Sequence, residues 1–594
     1  MAGIAGFCRM DDMYGGDSPR WAAVLDDMCG ALKHRGGQTK TRFLGANFGL
    51  AQTSRGKHGH EEAAAYNEQA FIVTDGTLFC ADRTPTGAGE AALRLILHTG
   101  IDCITRLNGT FAGAAYAAAE RRLYLFRDHL GVKPLFFTMA GGAVVFASEM
   151  KALFRYPGVE AAVGHDGLCE VLGLGPARRE LSGVFKNVFS ILPGHYAIFD
   201  ANGFQQVKYW GFDSAPCLDD FAEAATTVAE LLQEAVAAQA RGRGVCTLLS
   251  GGLDSSIVTA LLASGQTRPV DTFSFDFKDS DVHFKANAFQ AERDRPYVEM
   301  MSRLFGTRHT FLECDSNDLA DALTDAMIAR DLPGMADIDS SLLVFSRRVA
   351  ESHSVALTGE CADELFNGYP WFHRAELVQA EGFPWSRDMH VRKAFLRDDV
   401  LDTLDIDGFA QAAFEASRND VPVPVGEDSQ HERERRISYL TIKWVMATLI
   451  DRGDRMCGAA GLDARVPFAD KRLAAYLWNI PWAVKSQSGV KSLLRAAFTG
   501  LLPDELLQRR KNPYPKTYNP AYEALLAERL LAVLGDANAP IRALADPAKV
   551  RAFIETPLDY GKPWYGQLMA GPQMLAYWLQ LNEWLKVYRV KVTV

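Results

Sequence analysis

The segment Ser250-Gly251-Gly252-Leu253-Asp254-Ser255-Ser256 follows directly on the apolar run Val245-Cys246-Thr247-Leu248-Leu249. The run reads as a buried strand and Ile257 to Ala263 as the helix after it. Between them, glycines let a backbone come close to a ligand, hydroxyls add donors, and the N–H groups opening the helix converge on one point. Such a loop is suited to phosphate. No Gly-Lys-Ser/Thr follows, and the glycine spacing is not that of a dinucleotide loop, so neither of those phosphate-binding classes applies. A Gly-Gly turn is also an ordinary strand-to-helix connection, but Asp254 and its flanking serines favour the phosphate reading.

A second block, Val355 to Tyr369, has the same logic: a strand ends in the small-residue turn Thr358-Gly359, followed by the carboxylates Glu360, Asp363 and Glu364. Acids favour the first turn of a solvated helix. Carboxylates this close also repel unless they hold a cation. Beside a phosphate loop, Mg²⁺ bridged by Asp254 and Asp363 is the stronger reading, because magnesium keeps few protein carboxylates and completes its shell with phosphate and water. Two further blocks follow: Asp451-Arg452-Gly453-Asp454-Arg455 with Gly461 to Phe468, and Lys491-Ser492-Leu493-Leu494-Arg495. A Lys/Arg pair four apart is ordinarily a surface pair. Next to two anion-binding loops, these blocks can supply the cations a phosphoryl transition state needs. Arg509-Arg510-Lys511 is another basic cluster that could meet phosphates, with a solvated face as the default.

The elements that position these blocks fall into two grammars. Up to about residue 210, short β-like runs such as Phe71-Ile72-Val73, Leu123 to Phe126, Leu135 to Phe137, Ala143 to Phe146 and Tyr196 to Phe199 are separated by turns such as Gly141-Gly142 and Pro193-Gly194. Helical segments are expected near 20 to 33 and 89 to 99. This is a layered α+β domain, assigned to residues 1–212. From 213 to 594, long helical runs beginning with Phe221 to Ala240 alternate with apolar strands at 245–249, 270–275 and 354–358. That alternation predicts an α/β domain with a parallel sheet, a ligand site at the strand ends and a helical C-terminal part. Tyr209 to Asp219 is the junction. Met574 to Tyr588 is expected to pack on the core, an oligomer contact such as a homodimer interface being the alternative.

The chain has 594 residues, enough for two or three domains, with 48% hydrophobic and 23% charged residues. A net charge of -10 gives no electrostatic support for a nucleic-acid or anionic-membrane partner. The N-terminus lacks signal-peptide features and no window approaches a membrane span, so a cytoplasmic location is expected. The ten cysteines are scattered singly, without metal-ligand spacing, and are expected to be reduced packing residues.

The first loop resembles the pyrophosphate loop of ATP pyrophosphatases. The four blocks in this order and spacing are similar to the synthetase half of glutamine-dependent asparagine synthetases, as are Asp331 to Asp337 and Gly368 to Phe372. In the N-terminal half, Leu107 to Phe111, Arg127 to Leu135 and Phe146 to Leu153 resemble the same family's Ntn-hydrolase-like glutaminase. The resemblance covers residues 1 to 525. It implies that Leu248, Leu249, Ser250, Gly251, Gly252, Leu253, Asp254, Ser255 and Ser256 hold ATP phosphates. Phe275 and Leu342 would then lie near the base, and Thr358 and Gly359 near the ribose. It also implies that Asp254 and Asp363 carry Mg²⁺, that Lys491 neutralises charge as a carboxylate attacks the α-phosphate, and that Glu360 faces the acyl-adenylate.

The chain departs from that family at its first active site. The family's nucleophile is an N-terminal cysteine, and Ala2 stands there; a methyl group cannot attack an amide. Cys8 has neither the terminal position nor an adjacent base. The family's glutamine-carboxylate arginine is Gln52, its Asn-Gly-Glu oxyanion segment is Asp75-Gly76-Thr77, and Ala88 replaces the acid of its Ser-Asp-Thr-Glu turn. One altered residue could be an engineered knock-out; four altered pieces imply natural loss of glutaminase activity and a domain kept as scaffold. The expected reaction is amide formation from a small-molecule or peptide carboxylate, aspartate or similar, with ammonia or an amine as acceptor. The resemblance also admits a tailoring or macrocyclising ligase of the β-lactam-synthetase or lasso-peptide-cyclase type, although Glu360 replaces the tyrosine of β-lactam synthetases. A non-catalytic nucleotide-binding partner is the alternative of another class, disfavoured by intact Asp254, Asp363 and Lys491.

Overall fold

A computed structural model of the protein describes all residues except 1, 38, 55–63, 68, 80–91, 93–95, 97–99, 243, 279, 285, 287–291, 388, 425, 557–563, 567–568 and 594. Ala88 and most of the expected helix at 89–99 lie outside the described residues.

The N-terminal part stacks two antiparallel sheets. One runs Val188–Ser190 (β11), Phe136–Ala140 (β8), Ala143–Ala147 (β9), Ala2–Cys8 (β1), Phe48–Ser54 (β3) and Thr39–Leu44 (β2). The other runs Gly203–Lys208 (β13), His195–Asp200 (β12), Arg122–Arg127 (β7), Gly109–Ala117 (β6), Ala70–Leu78 (β5) and Ala64–Tyr66 (β4). Strand periodicity divides β1 between two cores: Ile4 and Cys8 meet Val73, Leu123 and Phe137 between the sheets, while Ala5 and Phe7 meet Trp21, Leu25 and Met28. The helix Ser18–Ala31 therefore covers the outer face. Gly141 and Gly142, at φ 54° and 81°, close the β8–β9 hairpin with the left-handed pair such a tight turn demands. The layered α+β expectation is met, and the sequence reading missed β1, β3 and β6, whose small residues carry little apolar signal.

The second part is wound around a five-stranded parallel sheet in the order Arg308–Cys314 (β16), Asp271–Phe277 (β15), Val245–Leu248 (β14), Val355–Leu357 (β17) and Asp463–Arg465 (β18). Cys246, Phe273, Ala356 and Ala464 pack under the helix Asp337–Ala350. Leu249, Ile257 and Leu357 pack on the other side with the helix Phe221–Gln239. From β14 the chain winds outward through β15 and β16, then crosses back to β17 and β18. The order reverses between β14 and β17, and a doubly wound sheet opens its ligand crevice beyond the carboxyl ends of strands at such a reversal. The two loops singled out by sequence leave those two strands.

The helix Gly571–Val587 is buried within the chain. Tyr577 Oη donates to Val171 O at 2.7 Å and Trp584 Nε1 to Asp331 O at 3.0 Å. Lys591–Val592 (β19) pairs in parallel with Ala162–Val163 (β10), tying the C-terminal end to the N-terminal part. Among the described residues no helix is long and apolar enough to cross a membrane, and the described cysteines are outside disulfides and buried, apart from the partly exposed Cys217.

Candidate active site

A cavity of about 320 Å³ sits at the sheet reversal. Leu248, Leu249, Ser250, Gly252, Leu253, Asp254 and Ser255 line it, with Phe275, Leu342, Thr358, Gly359, Glu360, Asp363 and Lys491. The first loop is locked internally: Ser250 N–H donates to Ser255 Oγ at 3.1 Å, and Ser255 Oγ donates to Gly252 O at 3.2 Å. Its glycine turn has a steric reason. Gly251 has φ +72°, and a Cβ there would stand 3.0 Å from both Asp294 O and Tyr297 Cβ. The second loop crosses the first at Gly359, where a Cβ would come within 2.8 Å of Ser255 N. Ser256 is fully buried behind the loop, and the Gly251 carbonyl accepts from Arg509 Nη1 at 2.6 Å.

The charged groups converge as the sequence suggested. Lys491 Nζ lies 2.7 Å from Asp254 and 2.6 Å from Asp363, and Lys511 Nζ lies 2.9 Å from the other oxygen of Asp363. Lys491 adopts the left-handed conformation at φ +56°, a strain of about 1–3 kcal/mol for a non-glycine residue that persists where surrounding structure fixes it. Burial opposes ionisation of Asp363, but Lys491 and Lys511 outweigh it and hold the carboxyl at about 2. Burial likewise opposes the Lys491 ammonium, and Asp254 and Asp363 outweigh it to raise its pKa. Among the described residues no group of three or more His, Cys, Asp or Glu side chains could cage a metal. Two hard oxygen donors facing a phosphate-type loop are nevertheless the donor set expected for Mg²⁺ shared with a nucleotide. The Thr358 hydroxyl is buried at the cavity wall without a hydrogen-bond partner.

The three neighbouring carboxylates do not act as one cluster. Glu360 accepts from Arg452 Nη2 at 2.8 Å, whereas Glu364 is buried, accepts from Tyr369 Oη at 2.8 Å, and is pushed by burial up to about 7. The cation blocks also divide. Arg452 and Arg495 line the cavity. Arg465 turns to Asp463 and the carbonyls of Gln239 and Arg241, and Arg455 turns to Asp451, Asp331 and Glu149. The Arg509–Lys511 cluster is not a solvated face, since Arg509 is buried against Asp294 and Lys511 reaches Asp363. The signal available was the proline-broken run Asn512-Pro513-Tyr514-Pro515, which cannot continue as a surface helix.

The first-half residues singled out by sequence sit among buried partners. Ala2 is buried in β1, and its N–H donates to Asp75 Oδ1 at 3.0 Å. Arg35, 0% exposed, donates to Asp75 at 2.8 Å, to Glu149 at 3.0 Å and to the carbonyl of Ala2 at 3.2 Å. It also pairs with Asp454 at 2.8 Å, across the junction. Lys133 bridges Asp454 and Asp463 at 2.9 and 3.2 Å. Asp75 therefore faces an N–H and a guanidinium rather than an open oxyanion position. Gly76 and Thr77 continue β5 in register with Phe111 and Thr110, and Gln52 is buried with no partner for its Oε1 among the described residues. Burial pushes the Cys8 thiol up to about 12, the reverse of what a nucleophile needs.

The asparagine synthase family model matches residues 227–586, and the glutamine amidotransferase domain model matches residues 1–210. The chain belongs to the asparagine synthase family. It is 40% identical over 509 residues to asparagine synthetase [glutamine-hydrolyzing] 3 of Bacillus subtilis (strain 168), covering 84% of this chain and 83% of that protein. A putative asparagine synthetase [glutamine-hydrolyzing] of Mycobacterium bovis is 26% identical over 486 residues, covering 74% of this chain and 71% of that protein. The similarity thus spans both halves, including the half that holds Ala2, Arg35 and Asp75.

Proposed function

We propose that this chain is an ATP-dependent, AMP-forming amide ligase that draws nitrogen from ammonia or an amine and not from glutamine. The observation that carries the ligase reading is the convergence of Asp254, Asp363 and Lys491 where the loops of β14 and β17 cross. In this reading the backbone from Leu248 to Ser255 holds the ATP phosphates and Thr358 offers its spare hydroxyl to the ribose. Asp254 and Asp363 would hold Mg²⁺, which neutralises phosphate charge when bound. A carboxylate oxygen attacks the α-phosphorus and pyrophosphate leaves; Lys491 and Lys511 stabilise the charge that develops. The amine nitrogen then attacks the acyl carbon, AMP departs, and Glu360 stands where it can accept the proton the nitrogen loses.

Glutamine independence rests on the first-half site. No nucleophile stands at Ala2, and Arg35 with Asp75 takes up its surroundings as a buried ion pair. That half then serves as a scaffold joined to the ligase part through Asp454 and Lys133. The test is turnover with ATP, a panel of carboxylates and either ammonium or glutamine. Amide and AMP with ammonium but no glutamate from glutamine is the expected result. Glutamine-supported turnover would overturn glutamine independence, and absence of ATP-dependent pyrophosphate with every acid would overturn the ligase reading.

A further inference from the structure

Most cations that line the cavity already have a carboxylate. Lys491 and Lys511 pair with Asp254 and Asp363, Arg452 with Glu360, and Arg509 with Asp294. Arg495 lines the same cavity and has no carboxylate in ion-pair range among the described residues. Its guanidinium is nevertheless fixed: Nε donates to Val490 O at 2.9 Å and Nη2 donates to Arg509 O at 3.1 Å. The remaining nitrogen, Nη1, carries two N–H groups, is buried, and finds no acceptor among the described residues. Leaving a buried charged donor unsatisfied is costly, so such a group in a native site points to a ligand that completes it. Arg510 and Lys516 also line the cavity without a carboxylate in ion-pair range, but among the described residues no hydrogen bond fixes either side chain.

The place of Arg495 in the site indicates which anion that is. Its N–H donates to Lys491 O at 3.0 Å, one turn back along the chain. The carbonyl that its Nη2 holds belongs to Arg509, whose own side chain holds Gly251 O at the glycine end of the phosphate loop. The other end of the loop, at Ser255, meets Gly359 beside Thr358. A nucleotide with its ribose at Thr358 and its phosphates along the loop therefore brings its outer phosphates, not its α-phosphate, toward Gly251 and Arg495. We infer that Arg495 receives the terminal phosphates of ATP and holds pyrophosphate as it leaves. The inference rests on the ligase reading above. As the carboxylate oxygen bonds to the α-phosphorus, the bond from that phosphorus to the bridging oxygen breaks and its electron pair stays on pyrophosphate; the guanidinium meets the charge so gained. Burial lowers the Arg495 pKa and the charge of Asp254 raises it, and a bound phosphate adds to that counter-charge.

The experiment is equilibrium binding of ATP, inorganic pyrophosphate and AMP, each with Mg²⁺, to the full chain and to its Arg495→Gln and Arg495→Lys variants. AMP lacks the two outer phosphates, so it reports whether the rest of the nucleotide site is intact. Arg495→Gln should weaken pyrophosphate and ATP by about tenfold, the scale of one hydrogen bond to a charged group, and leave AMP unchanged. Arg495→Lys, which keeps the charge, should lose less. AMP weakened as much as pyrophosphate, or pyrophosphate held as tightly by Arg495→Gln as by the parent, would overturn this inference and leave the ligase reading standing. A parent chain that binds neither ATP nor pyrophosphate would overturn both.

Discussion

Arg35 Nη2 lies 2.8 Å from Asp75 Oδ2 and 2.8 Å from Asp454 Oδ2, so one buried guanidinium ties β5 of the first half to the second half.

Because Ala2 lies against the buried Arg35–Asp75 pair, Ala2→Cys is expected to leave glutaminase activity absent. Glutamate release from glutamine measures this directly. Release above that of the unmodified protein would mean that Arg35 and Asp75 do not block the site.

Asp454→Ala removes one partner each from Arg35 and Lys133, both fully buried. Breaking a buried pair from one side costs about 3–5 kcal/mol. Glu149, Asp75 and Asp463 remain, which puts the expectation at the lower end, read as a fall in the denaturant midpoint. A midpoint matching the parent would show that the network contributes little.

Lys491→Ala and Asp254→Asn each dismantle the cluster at the loop crossing, and each should lower pyrophosphate exchange by about 10²–10³-fold, the scale of losing one electrostatic stabiliser. Glu360→Gln should behave differently. It keeps acyl-adenylate formation measurable by exchange and lowers amide yield by about 10²-fold or more. Equal loss of both in Glu360→Gln would remove its assignment to the second step.

Asp337 is buried, accepts from Gln573 Nε2 at 3.0 Å, and is raised by burial from 3.8 to about 6. A folded-state value above the unfolded one means the native protein binds this proton more tightly, so its contribution favours folding at low pH and is lost as pH rises through about 6. Asp337→Asn should therefore raise stability at neutral pH by up to roughly 3 kcal/mol and give no gain below about pH 4. Denaturant midpoints at pH 4 and pH 8 check both halves of the statement.

How far the sequence reached can be judged from particular elements. Val245–Leu248 and its glycine loop were legible because a buried parallel strand is a continuous apolar run and a phosphate loop needs small residues at fixed places. Lys511 was not legible as part of the site. A basic triplet in sequence carries no sign of whether it meets solvent or a carboxylate far away in the chain, and only the fold brings Asp363 to it. The burial of Ser256 was not legible either, since a motif counts residues while the helix turns one of them into the core.

The sequence by itself determined the α+β and α/β succession, the two loops, the identities Asp254, Asp363 and Lys491, and the absence of a cysteine at Ala2, because periodicity and residue chemistry are local properties. Only the tertiary structure decided that Arg35 pairs with both Asp75 and Asp454, that Glu364 turns to Tyr369, and that Lys511 reaches Asp363. Those facts depend on which side chains meet across long separations, and burial fixes the cost of every charge that has to be paired there.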